Sequence, residues 1–405
     1  MSLTESGRSR AIRNANVAAF MTFAAFLGLG FALPFLPLFV QELGVRDPKD
    51  AAQWAGFLIG VGPLLAGVLA PFWGGLADRY GYKRVALLAL MAIGLSQILA
   101  SLAQTPAHVL VARVLSGLFG GVGPLGLAMA SSTAVKGGGS STSIGKIQAA
   151  QILAAGFGPL LGGALASSLG IRAAFWGAAF ACLFAAGVVG ALYQDQPEAS
   201  RDSGWSAVPA AVTAPRGFFA ALAVVVFFVN FASRSFTPIL PSQLETFGVA
   251  RGALALSTGL LISVYSVAAA ASSFGYGRLA AKSDPVRLIS FSLFLSLLFA
   301  VALARVSTFE AFLGAALLYG LASGGSLTLG YSIGARRFNE AERGASFGKL
   351  SGAALVGGAV APAMAAFVAR WSLENVYWMN ALIYAALIAV ALLLLRGPKP
   401  PPAAN

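Results

Sequence analysis

The chain has 405 residues, 58% of them hydrophobic and only 10% charged, with a mean hydropathy of +0.80. A soluble core cannot absorb that much apolar surface, so composition alone indicates a membrane protein. The formal charge of +13 would suggest a polyanion partner, but the cations follow membrane topology and require no nucleic acid.

Apolar segments of spanning length recur at 15–42, 54–76, 84–103, 107–132, 145–168, 172–193, 216–243, 252–281, 286–305, 309–334, 345–369 and 373–395. They predict an all-α polytopic protein of twelve transmembrane helices in two groups of six. The only long polar interruption runs from Tyr193 to Arg216 and holds Asp195, Glu198, Asp202, three prolines and Trp205. It reads as a cytoplasmic linker, 193–216, between a half at 1–192 and a half at 217–405 with a short cytoplasmic tail. Arg8, Arg10 and Arg13 lead directly into a first span too long for a signal-peptide core, so no cleaved signal is expected.

With the N-terminus inside, nineteen of the 27 Lys and Arg fall in the tails, in the linker and after helices two, four, eight and ten. The opposite face holds six: Arg46, Lys49, Arg172, Arg251, Arg305 and Arg370. This positive-inside bias predicts an inner-membrane protein with both termini cytoplasmic. The remaining two, Arg113 and Arg234, fall inside predicted helices. Cys182 is the single cysteine, which excludes an intramolecular disulfide.

Between the second and third spans the chain reads Gly74-Gly75-Leu76-Ala77-Asp78-Arg79-Tyr80-Gly81-Tyr82-Lys83-Arg84. Glycines allow two helices to approach and turn tightly, Asp78 suits a neighbouring helix N-terminus, and the cations suit a cytoplasmic face. The run resembles the loop between helices two and three of major facilitator superfamily transporters, with Tyr82 where a cation is usual. The resemblance implies a cytoplasmic gate built from Gly74, Asp78, Arg79, Gly81, Lys83 and Arg84, and a fold of two pseudo-symmetric six-helix halves about a central substrate site.

The halves are also related within the sequence at an offset of 203 or 204 residues. Pro34-Phe35-Leu36-Pro37 recurs as Pro238-Ile239-Leu240-Pro241, Gly117 corresponds to Gly320, and Pro159 to Pro362. In the second half the charged turn survives as Gly277-Arg278-Leu279-Ala280-Ala281-Lys282, with Ala281 in the place of Asp78, so an asymmetric gate is expected.

In helix four, Arg113-Val114-Leu115-Ser116-Gly117 resembles the family's Arg-x-x-Gln-Gly, with serine for glutamine. The resemblance associates Arg113 with proton coupling; an arginine pinned to backbone carbonyls is the competing reading. A guanidinium in hydrocarbon is costly and requires a wet cavity or a partner. In helix five, Gly156-Phe157-Gly158-Pro159-Leu160-Leu161-Gly162-Gly163 resembles the antiporter motif of drug:proton exporters, with Ala154 at its first glycine. Gly158, Pro159, Gly162 and Gly163 would bend and thin the helix.

Arg234 belongs to no family motif. Asn230 and Pro238 share its helix face at spacings of four, and a fixed cation there would attract anionic substrates, or form a salt bridge instead. Gln148, Gln151 and Tyr265 complete the candidate cavity residues, against a packing role for each. No Asp or Glu falls near the middle of a predicted helix: Glu42 and Glu245 sit at outer ends, as does His108, the only histidine. One His, one Cys and no central acids argue against an enzyme. No Walker-type Gly-x-x-x-x-Gly-Lys-Ser/Thr run is present, so ATP is not the expected energy source.

The reading that results is a monomeric secondary transporter of the twelve-helix drug:proton antiporter branch. It would need no cofactor, draw on the proton gradient and export neutral or anionic amphiphiles. An importer or symporter of an organic anion or sugar would share the fold and gate, and a non-transporting sensor would share the scaffold.

Overall fold

The computed structural model describes residues 5–123, 125, 126, 129, 140–195, 216–338 and 343–394. Among these, every regular element is a helix, and one stands at each predicted span. They are α1 Ser9–Glu42, α2 Pro48–Tyr80, α3 Tyr82–Ser101, α4 Pro106–Leu118, α5 Lys146–Leu169, α6 Ile171–Leu192, α7 Gly217–Thr246, α8 Arg251–Lys282, α9 Pro285–Arg305, α10 Phe309–Arg337, α11 Ser346–Val368 and α12 Glu374–Leu393. Eleven are long and apolar enough to cross a membrane; α4 is shorter, and the span expected at 107–132 runs on partly beyond the described residues. The protein is therefore an all-helical, multi-pass membrane protein.

Local chemistry sets the boundaries. Asp47 caps α2, its carboxylate accepting from the Lys49 amide at 2.8 Å, with Pro48 at the first helical position. Thr105 and Thr308 cap α4 and α10 in the same way, through the amides of His108 and Ala311. The repeated Pro-x-Leu-Pro appears as the same deformation in both halves. One 3₁₀ turn, Leu33–Phe35, interrupts α1, and another, Thr237–Ile239, interrupts α7. Proline removes a backbone donor and crowds the preceding turn, which accounts for both.

A second matched break divides the fourth helix of each half. α4 ends at Leu118, and α10 is interrupted after Ser323, at Gly324-Gly325. Water is absent from the bilayer core, so carbonyls near such a break need partners from the protein. Trp73 Nε1 donates to the Leu118 carbonyl at 2.8 Å, and Ser272 Oγ to its repeat counterpart Leu321 at 2.6 Å. Ser292 adds a bond to the Ala322 carbonyl at 2.6 Å.

The helices nearest these breaks cross without space for side chains. A Cβ on Gly117 would stand 2.9 Å from the Gly62 carbonyl, and one on Gly320 would stand 2.7 Å from the Tyr265 carbonyl, the repeat counterpart of Gly62. Gly121 likewise meets Trp73, and Gly325 meets Tyr276 at the matching place.

The chain packs as two compact units. The first contains the described residues up to Asp195 together with Leu244–Ser263; the second contains those of 216–243 and from Val264 onward. The end of α7 and the beginning of α8 are thus grouped with the first six helices. In the first unit α1 lies against both α5 and α6, with a core that includes Met21, Leu90, Ile93 and Cys182. In the second, α7 lies against α11, and α9 against α12.

A Cβ at Gly357 would collide with the backbone of Phe227 on α7, whereas nothing lies within 4 Å of one at Gly314 on α10. Gly357→Ala should therefore destabilise the second unit by about 1–3 kcal/mol, while Gly314→Ala, freed of glycine's helix penalty, should be neutral or stabilising. Thermal midpoints of the purified variants in detergent would show the difference; equal midpoints would contradict the crossing described.

Candidate functional site

The charged turn is closed by a residue from the far end of the first half. Gly81 ends α2 with φ +91, its amide donating to the Ala77 carbonyl at 2.9 Å. A side chain there would be strained by that angle and would meet Asp195 Oδ2 at 2.7 Å. Asp195 Oδ1 accepts from the Lys83 amide at 3.1 Å and so caps the start of α3 across 112 residues. Asn14 on α1 fixes this segment by a reciprocal pair with Gln194, at 2.7 and 3.2 Å, and Tyr193 beside it is buried. Arg79 is exposed over the Tyr80 ring, and the side chain of Asp78 lies outside the described residues. At the corresponding end of α8, Arg336 donates to the Ala280 and Ser283 carbonyls.

On α5 the four motif residues divide between two faces. Gly158 and Gly162 meet α1, where Gly30 and Phe31 approach at backbone contact. The Pro159 carbonyl and Gly163 meet the first turns of α8. A Cβ on Gly163 would stand 2.6 Å from the Ala255 carbonyl, and one on Gly259 would collide with the Pro159 carbonyl. Ser167 Oγ, one turn further on, accepts from the Leu256 amide at 3.1 Å, a free donor at the beginning of α8.

Arg113 is 4% exposed, and its Nε donates to the Leu58 carbonyl on α2 at 3.1 Å. Its guanidinium lies over Gly62, where a Cβ would come within 2.7 Å of Nη2. The residue is fixed by backbone oxygen and by the absence of a side chain opposite.

In the second unit, Asn230 donates to the Ala354 carbonyl on α11 at 2.6 Å, which commits it to packing. Arg234, one turn later, is exposed beside Gly358. Behind them Tyr265 stacks on Tyr319 with ring centroids 5.7 Å apart, and Tyr319 shares a hydrogen bond of 2.7 Å with Tyr384. Buried Ser235 bonds Asn380 at 2.8 Å on the same level of the helix. Gln148 and Gln151 belong to α5 in the first unit, the former exposed and the latter half-buried. Among the described residues no cluster of His, Cys, Asp and Glu has metal-binding form.

The Major Facilitator Superfamily profile matches residues 18–248 and 222–405. The chain belongs to that superfamily. It is 29% identical to the multidrug resistance protein MdtG of Proteus mirabilis, over 89% of this chain and 91% of that one. It is 33% identical to MdtG of Yersinia enterocolitica, over 72% of this chain and 70% of that one. A crystal structure of a bacterial homologue of the human lysosomal transporter Spinster superposes with a TM-score of 0.78 at 14% identity, covering 97% of this chain and 98% of that one. The superfamily is one of transporters, not enzymes.

Gly62, Asp195, Asn14 and Ser167 carry no signal of their own in the sequence. Each becomes visible only through a partner 51 to 180 residues away. If Arg113 serves superfamily transport through the position that Gly62 permits, Gly62→Val and Arg113→Ala should each lower gradient-driven flux in proteoliposomes by about tenfold or more, and the double variant should be no slower than either. Fully additive losses would separate the two residues.

Proposed function

We propose that the protein is an inner-membrane exporter of small amphiphilic molecules, neutral or anionic in preference to permanently cationic. It exchanges them for protons by alternating access, with both termini cytoplasmic and residues 1–192 rocking against 217–396. The observation that carries this reading is the two-faced α5 motif. One face is joined to α1 by backbone contact, the other to the start of α8 by small residues and the Ser167–Leu256 bond. A contact made of glycines, carbonyls and one hydroxyl can separate into a water-lined opening without exposing a large apolar surface. The relatives named multidrug resistance proteins support export as the direction. The charged turn, clamped by Asp195, is the corresponding gate on the cytoplasmic side, with Asp78 stabilising its closed form.

The charge preference rests on Arg234. It is exposed within a span, and the described acids of the spanning helices, Glu42 and Glu245 among them, stand near helix ends. A fixed cation without a facing carboxylate attracts anions and repels cations. Reconstituted protein should move anionic and neutral dyes in exchange for protons, opposite to the flow of an imposed proton gradient, faster than a quaternary ammonium dye. Arg234→Ala should lower the anionic rate by about tenfold, near 1.4 kcal/mol, and leave the neutral rate unchanged. Equal loss for both dyes, or rates indifferent to the gradient, would overturn the charge assignment and the coupling respectively.

A further inference from the structure

A groove of about 540 Å³ runs between the N-terminal end of α1 and the C-terminal end of α6. Its wall on α1 is one helix face, Ser9, Ile12, Arg13, Asn16, Val17 and Phe20, and Val188 and Leu192 of α6 close the other side. The face is graded along the axis. Polar Ser9, Arg13 and Asn16 occupy the end nearest the membrane surface, and Val17, Phe20 and Val188 continue the groove toward the bilayer interior. From Ser9 to Phe20 the helix rises about 16 Å, close to half the thickness of the hydrocarbon core.

The described charged side chains that line or flank the polar end are cations. Arg13 lines the groove, exposed Arg10 precedes it by one turn, and Lys146 Nζ donates to Asn16 Oδ1 at 2.6 Å. Asp195, the acid that follows α6, is directed instead at the start of α3, where it accepts from the Lys83 amide. Two large apolar side chains of the groove, Ile12 at 52% and Leu192 at 47% exposure, remain uncovered by protein. At the start of α7, where the second half repeats α1, Phe218 and Phe219 instead pack against Phe338 at the end of α10, at centroid distances of 6.4 and 6.0 Å.

We infer that this groove is a binding site for one anionic phospholipid, its phosphate held by Arg13 and Arg10 beside Asn16 and one acyl chain lying along half-buried Phe20 and Val188. The headgroup requires a cation cluster without a facing acid, and the chain requires an uncovered apolar furrow of one-leaflet depth; the α1–α6 groove joins the two. A soluble anion would satisfy only the first. The site shares no residue with the glycine motif of α5 or with Arg234, and it does not depend on the direction of transport.

The experiment uses tryptophan fluorescence with brominated lipids. Leu192→Trp places a reporter in the groove, and the signal of the parent protein is subtracted. In vesicles of phosphatidylcholine with increasing brominated phosphatidylglycerol, quenching of the reporter should run ahead of the lipid's mole fraction, and brominated phosphatidylcholine should quench only in proportion. Arg10→Gln and Arg13→Gln should each weaken the relative affinity about fivefold, Arg13→Lys should retain it, and millimolar inorganic phosphate should not displace the lipid. Each variant is first required to match the parent's thermal midpoint, so that a lost preference reports the site. Proportional quenching by both lipids, indifference to the Gln substitutions, or displacement by free phosphate would each overturn the assignment.

Discussion

In a bilayer no water is available to a backbone oxygen, and the described structure is organised by that constraint. Helices that must bend or break leave carbonyls exposed to hydrocarbon, at a cost of several kcal/mol each if unpaired. Matching breaks in α4 and α10 are answered by Trp73 and Ser272 on equivalent carbonyls. Arginine serves the same end where helices terminate: Arg172 of α6 donates to the carbonyls of Ser101 and Ala103, and Arg336 of α10 to those that end α8. Arg113 follows the rule inside the membrane, with a carbonyl in place of a carboxylate as its partner. Arg113, Arg172 and Arg336 are thus structural ties between helices, and Arg234, exposed beside Gly358, differs from them.

Glycine makes those ties possible. Hydrogen bonds from one helix to the backbone of another require close approach, and close approach requires positions without Cβ. At Gly117 and Gly320 the two halves solve the problem identically, which extends the repeat from sequence to contact. On α5 the same device is used on two faces at once, so that one short motif joins α1 to a second partner from the other half of the sequence.

How much of this the sequence could show depends on whether a feature is local. The spans, the proline-induced turns at Leu33–Phe35 and Thr237–Ile239, and the tight turn at Gly81 follow from residue types in sequence order, and the structure places them where those residues stand. Asn230 and Arg234, four residues apart on one predicted face, illustrate the limit. Periodicity put them together, but only the Ala354 carbonyl separates a residue used for packing from one left facing outward. The Asp195 cap was hidden because it spans 112 residues. The grouping of Leu244–Ser263 with the first unit was hidden because its partners are glycines and carbonyls, which carry no complementary pattern.

The central claim is that the α5–α8 contact opens and closes as the transporter cycles. It is most directly tested by a disulfide between Ser167→Cys and Leu256→Cys, with Cys182→Ser removing the buried native thiol. The account predicts that oxidation stops gradient-driven flux in proteoliposomes and that a reductant restores it, with substrate binding retained in the locked form. Undiminished flux through quantitatively cross-linked protein would contradict it.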